Sequence, residues 1–253
     1  MVVSALGVAV LIYGSVCAFL FTMQRSMLFF PTPAAELPGA ERISLRSGGE
    51  TLRIWARPTA GSQALIYFGG NAEDVSANFA PFAGAMPGRA LYLVNYRGYG
   101  GSTGAPSEQG FFADALAVHD WVRQRHPEIA VVGCSLGSGV AAYLASARKI
   151  ERLVLVTPFD SIENVARVNF PLLPVGLLMK DKFDSAARVP GIAAPTLIVI
   201  AANDEVIPRA RTDALVARFP AGQVRVEVIA GATHNSIAAS PRYLESIAGF
   251  LGP

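Results

Sequence analysis

Charge is scarce in this chain. Only 16% of its 253 residues are Asp, Glu, Lys or Arg, where a soluble domain usually carries about a quarter. The 21 Lys and Arg nearly balance the 19 Asp and Glu, and no basic run occurs, so nucleic-acid binding has no electrostatic support. Two cysteines, Cys17 and Cys134, are too few for a disulfide framework or a thiolate zinc site. Three histidines limit the choice of a general base. What is abundant is apolar surface: 52% of the residues are hydrophobic, which excludes intrinsic disorder.

Part of that apolar content lies at the start. No side chain from Val2 to Gln24 is charged; Arg25 is the first. About 20 apolar residues span a bilayer core of roughly 30 Å. A cleaved signal peptide calls for a basic segment before the apolar run and a small-x-small cleavage site, and neither stands here. The expectation is a transmembrane anchor over residues 1–24, followed by a juxtamembrane segment over 25–40. On the single arginine after the span, the positive-inside rule favours a cytoplasmic C-terminal domain.

Residues 41–253 read as one domain in which short strands alternate with helices. Strands are expected at Arg42–Arg46, Thr51–Arg57, Ala64–Phe68, Ala90–Asn95, Ala130–Gly133, Leu153–Thr157, Thr196–Ala201 and Val224–Ile229. The first two alternate polar and apolar residues, as an antiparallel start would. The later ones are continuous apolar runs, as parallel strands covered on both faces require. Helices are expected near Glu73–Phe82, Glu108–Arg125, Leu136–Ala147, Arg209–Phe219 and Pro241–Leu251. The fold class is therefore α/β, a mostly parallel twisted sheet of about eight strands with helices on both faces. Ligands of such sheets bind at the carboxyl ends of the strands.

Three of those ends carry chemistry. Gly133-Cys134-Ser135-Leu136-Gly137 joins an apolar strand to a helix, the context of a nucleophile elbow. A serine needs a base to take its proton. His234 follows the last strand, whereas His119 and His126 lie in or at the end of a helix and read as solvated. The base needs a carboxylate to fix its tautomer. Asp204 follows the strand before the last, with Glu205 directed elsewhere, and Asp160 after the Leu153–Thr157 strand is the alternative acid. The order Ser135, Asp204, His234 is that of α/β-hydrolases. Oxyanion donors are expected at the backbone N–H of Leu136 and of Asn71, in the glycine-rich loop Gly69-Gly70-Asn71. Asp74 after Asn71 resembles a cap opening a helix whose positive end favours an anion. Cys134 reads as a packing residue without a redox role.

Beyond these residues the chain resembles the α/β-hydrolase superfamily, and within it the Bem46-like membrane-anchored serine hydrolases. The resemblance runs through Arg-Ser-Met-Leu-Phe-Phe-Pro from Arg25, Tyr-Phe-Gly-Gly-Asn-Ala-Glu-Asp from Tyr67 and the stretch Asn95–Gly104. It continues through Gly-Cys-Ser-Leu-Gly-Ser-Gly, Asp-Lys-Phe-Asp-Ser from Asp181 and Asn-Asp-Glu-Val-Ile-Pro from Asn203. One departure is Gly69, where relatives often carry His before Gly-Asn, which alters how the oxyanion loop is held. Asn95–Gly104 reads as a structural turn. The resemblance implies an α/β-hydrolase fold and hydrolysis of a small acyl ester, thioester or lipid substrate through an acyl-serine, with no metal or organic cofactor. A short cap is expected at about 160–190, where Asn169–Met179 would dip toward membrane lipid to admit an acyl chain. A peptidase or amidase with the same triad and a catalytically silent scaffold are the alternatives. Ser135 at the elbow argues against haloalkane dehalogenation, which uses an aspartate there.

Overall fold

The computed structural model describes residues 2–252. Met1, the start of the expected anchor, and Pro253, the end of the expected domain, lie outside the described residues.

Eight strands form one sheet: β1 (Glu41–Ser47), β2 (Glu50–Arg57), β3 (Gln63–Phe68), β4 (Ala90–Val94), β5 (Glu128–Cys134), β6 (Arg152–Val156), β7 (Thr196–Asn203) and β8 (Val224–Thr233). Their spatial order is β1-β2-β4-β3-β5-β6-β7-β8. Only the β1–β2 and β2–β4 pairings are antiparallel. Among the described residues, eight α-helices accompany the sheet: α1 (Val2–Leu28), α2 (Phe79–Ala85), α3 (Glu108–Arg123), α4 (Leu136–Ala147), α5 (Ile162–Asn169), α6 (Val175–Leu178), α7 (Arg209–Val216) and α8 (Pro241–Leu251).

The central strands are uniformly apolar because both sheet faces are covered. In β3, Ala64, Ile66 and Phe68 enter one cluster with Val118 of α3, Val140 of α4 and Leu215 of α7. The intervening Leu65 and Tyr67 enter another with Phe82 of α2 and Ile247 of α8. Side chains alternate across a strand, so an apolar run of this kind gives each helical layer its own core.

α1 and α2 depart furthest from their expected bounds, while α3 and α7 stop two and three residues short, at Arg123 and Val216. α1 continues past Arg25 to Leu28. A single arginine favours helix well enough; Pro31 and Pro33, which lack an N–H, follow the true end. After Glu73 the chain makes a short 3₁₀ turn, Val75–Asn78, capped by the Asp74 carboxylate on Ser76 N–H at 3.0 Å, before α2 starts. Glu73 stays out of the helix because its carboxylate turns back onto Gly70 N–H, Asn78 and Tyr67. The sequence α5-α6 between β6 and β7 lies where the cap was expected.

Candidate active site

The sheet register assembles the site. Cys134 pairs with Val156 across β5 and β6, and Asn203 pairs with Thr233 across β7 and β8. The next residues along the chain are Ser135, Asp204 and His234, so two come out side by side and the third faces them from two strands away. Ser135 has φ 49° and ψ −115°, a left-handed conformation that side chains adopt at a cost of about 1–3 kcal/mol. Its neighbours make that turn possible. A Cβ on Gly133 would lie 2.3 Å from the Gly137 carbonyl oxygen, and one on Gly137 would lie 2.1 Å from that of Phe68. These glycines let β5, α4 and β3 approach backbone to backbone.

His234 Nε2 lies 2.9 Å from Ser135 Oγ. Its Nδ1 lies 2.9 and 3.0 Å from the two Asp204 carboxylate oxygens. Burial alone would push the Asp204 carboxyl up. Its bonds to His234 and to the N–H groups of Ile207 and Val206 outweigh that and hold it below the usual carboxylate range. The adjacent Glu205 accepts from His234 N–H at 3.1 Å, steadying the loop rather than the ring. Asp160 is engaged elsewhere: it accepts from Ser161 N–H at 2.9 Å, from Asn164 at 2.8 Å and from Arg211 at 3.2 Å.

The loop after β3 is held from several sides. Phe68 pairs with Gly133, so this loop lies beside Ser135, and a Cβ on Gly70 would be 3.6 Å from the Ser135 Cβ. Tyr96 Oη donates to the Gly69 carbonyl at 2.8 Å, and Tyr99 Oη donates to Asn71 Oδ1 at 2.9 Å. The Asn95–Gly104 turn thus braces the loop, together with the Glu73 carboxylate, which accepts from Gly70 N–H, Tyr67 and Asn78. Burial pushes the Glu73 carboxyl up, against its bonds from Tyr67 and Gly70. Leu136 is the first residue of α4, where an N–H has no carbonyl a turn behind it. Asn71 N–H has no partner among the described residues. Asn71 lies in the loop where the sequence leads one to expect it, whereas the bracing by Glu73, Tyr96 and Tyr99 is not expected from the sequence; their buried polar tips carry no periodic signal.

The other two histidines correct an expectation. Neither is solvated: His119 and His126 are buried. His126 bridges Tyr92 Oη at 2.9 Å and the Gly61 carbonyl at 2.8 Å, and His119 contacts Asp120 at 3.0 Å. α3 turns this face inward, and the chain beyond it folds back over β4. Cys134 is half-buried, and desolvation with the Glu73 carboxylate nearby pushes its thiol up. Among the described residues, no group of three or more His, Cys, Asp or Glu is arranged to hold a metal ion.

A cavity of about 370 Å³ opens over Ser135, lined by Leu136, by residues of α5 and α6 such as Val165 and Leu178, and by Leu20, Met27 and Leu28 of α1.

Residues 63–188 match the family model of the alpha/beta hydrolase fold. The chain is 35% identical to an uncharacterized protein of Mycobacterium tuberculosis over 244 residues, which cover 90% of this chain and 86% of that one. It belongs to the α/β-hydrolase superfamily. It is also 29% identical to protein ABHD12B of Homo sapiens, over 76% of this chain and 61% of that protein. Among solved structures, the esterase Pf2001 of Pyrococcus furiosus superposes with a TM-score of 0.74 at 17% identity, covering 88% of this chain and 98% of the esterase. At that identity the likeness is one of fold.

Proposed function

We propose that this α/β-hydrolase is a membrane-anchored serine hydrolase that cleaves acyl esters or thioesters through an acyl-serine intermediate. The observation that carries the reading is the chain of contacts from Ser135 Oγ to His234 Nε2 at 2.9 Å and from His234 Nδ1 to Asp204 at 2.9 Å. Membership of the superfamily and the esterase named among its structural neighbours agree with hydrolase activity.

In this mechanism His234 Nε2 takes the Ser135 proton as Oγ attacks the acyl carbon. Asp204 holds the ring by Nδ1–H and stabilises the imidazolium. The oxyanion accepts from the N–H groups of Leu136 and Asn71, placed where charge develops. The imidazolium protonates the departing alkoxide or thiolate, and water activated by the same nitrogen hydrolyses the acyl-serine. α1 serves as the anchor: its stretch before Arg25 is uncharged, and the helix Ser4–Leu28 is long and apolar enough to cross a membrane. By the positive-inside rule, Arg25 at the end of the apolar run favours the cytoplasmic side for the domain, residues 41–253 with a short cap at about 160–190.

The test is hydrolysis of p-nitrophenyl butyrate by the full chain in detergent micelles. Wild type turns over, and Ser135→Ala and His234→Ala lose at least about 10³-fold in rate. Undiminished turnover by Ser135→Ala contradicts the reading. A folded wild type inert toward esters and thioesters alike favours the silent scaffold.

A further inference from the structure

The N-terminal helix does more than sit beside the domain. Along α1 the only partly covered positions after Ser4 are Cys17, Leu20, Gln24 and Leu28, spaced three, four and four apart, which is one face of a helix. That face meets the α5–α6 segment. Tyr13 Oη donates to the Leu172 carbonyl at 2.9 Å. Gln24 donates to the Leu178 carbonyl at 3.0 Å and accepts from Lys180 N–H at 2.7 Å. Arg25 closes the contact on Asp181 at 2.7 and 3.2 Å.

These contacts run from Tyr13 to Arg25 of α1, about 18 Å at 1.5 Å per residue. Phe170–Met179 therefore climbs alongside the helix to roughly the middle of its apolar length. Its composition suits lipid. Leu172 and Leu177 are 86% and 84% exposed, beside a helix whose Leu11 is 71% exposed. Backbone polar groups cannot be left unpaired in hydrocarbon, and here few are. Pro171 and Pro174 have no N–H, while the N–H groups of Phe170, Leu173, Val175, Leu177, Leu178 and Met179 all bond to nearby carbonyls. The cavity over Ser135 lies between the two elements, with Leu20 and Met27 on one side and Leu173 and Leu178 on the other. Its volume, about 370 Å³, is near the lower end for ligand pockets and suits one chain rather than two.

We propose that α1 and Phe170–Met179 together form a slot for a single long acyl chain, entered from the bilayer, in which Leu20 of the membrane helix is a wall that sets acyl-chain preference. The substrate class that follows is a long-chain acyl ester or thioester that reaches Ser135 without leaving the membrane. The catalytic consequence rests on the serine-hydrolase reading; the slot does not.

Two readouts separate them. The first is kcat/KM of the full chain in mixed micelles for palmitoyl and butyryl p-nitrophenyl esters. In micelles both esters already lie in hydrocarbon, so the preference comes from packing of the longer chain against the slot walls, and wild type prefers palmitoyl. Leu20→Trp and Leu173→Trp, on opposite walls, lower the palmitoyl-to-butyryl ratio at least about tenfold. Leu11→Trp, on the same helix away from the slot, keeps the wild-type ratio. Equal ratios in Leu20→Trp and Leu11→Trp overturn the proposal. The second readout needs no turnover: Ser135→Ala is irradiated with diazirine-bearing palmitate and the adducts are mapped. Adducts on Leu20–Leu28 and Phe170–Met179, competed by excess palmitate and lost in the double variant with Leu20→Trp, support the slot even where esters are not hydrolysed. Uncompeted labelling spread along α1 overturns it.

Discussion

The side-chain amide of Asn71 donates to the carbonyl of Leu28 at 2.6 Å, while its oxygen accepts from Phe30 N–H at 3.0 Å. The loop expected to hold an oxyanion is thereby fastened to the end of α1. Phe29 follows inward, its ring edge-on to Phe111 at 5.3 Å and buried in the larger core. The exit of the helix, the loop after β3 and the core are one packed unit.

Cutting that fastening without removing the backbone donor tests its role. Asn71→Ala keeps the N–H of residue 71 but loses the bonds to Leu28, Phe30 and Tyr99. The expected outcome is a fall in kcat of about ten- to hundredfold, less than the 10²–10³-fold for loss of an oxyanion donor itself, with KM little changed. Steady-state kinetics on a short ester checks this, and a wild-type kcat contradicts it.

The elbow glycines separate from an unconstrained one. Gly133→Ala sets a Cβ against the Gly137 backbone oxygen and is expected to cost at least about 3 kcal/mol. Gly84 lies inside α2 with nothing within 4 Å of the position of its Cβ. Gly84→Ala is expected to stabilise by up to about 1 kcal/mol through helix propensity. Thermal inactivation midpoints in one detergent compare the two.

The ion pair at the base of α1 is lopsided. The Asp181 side chain is 3% exposed and that of Arg25 50% exposed, and Asp181 also accepts from Glu108 N–H at 2.9 Å. Arg25→Met leaves a buried carboxylate without its cation and is expected to cost about 2–3 kcal/mol, below the 3–5 typical when both partners are buried. Asp181→Asn keeps an acceptor for Glu108 and lets Arg25 turn to water, so its cost is smaller. Heat inactivation of the two variants reads the order directly; the reverse order contradicts it.

A pH experiment follows from Asp204. Its carboxyl is held below the usual range, so its contribution to stability is fully present above the unfolded value of about 3.9 and is lost as pH falls through the native value. The stability gap between wild type and Asp204→Asn should narrow in acid below about pH 4. Because the Asp204 carboxyl is held below the usual range, it should add no second proton to the acid limb of log kcat/KM above about pH 4, and the slope there should be one. A slope of two would mean that Asp204 titrates there as well.

Much of the sheet was legible because its chemistry is local. Each central strand is an apolar run bounded by turn residues, and Ser135, Asp204 and His234 follow strand ends, where the structure brings them together. The bounds that moved were decided by side chains reaching across space. Glu73 left the helix for Gly70 N–H, and His119 and His126 turned inward, His126 toward Tyr92. The seating of α1 had no sequence signal. A helix apolar on every side shows no favoured face, and its partners Leu172, Leu178 and Asp181 lie more than 150 residues on, as the separations of 154, 156 and 159 between bonded pairs record.

The most direct measurement of the central claim is the site of a fluorophosphonate adduct. The full chain in detergent is treated with the probe, digested and mapped by mass spectrometry, alongside Ser135→Ala, His234→Ala, Asp204→Asn and Asp160→Asn. The expected result is one adduct on Ser135, abolished in Ser135→Ala and His234→Ala, and slowed far more by Asp204→Asn than by Asp160→Asn. An adduct on another residue, or undiminished labelling of Ser135 in His234→Ala, would contradict the account.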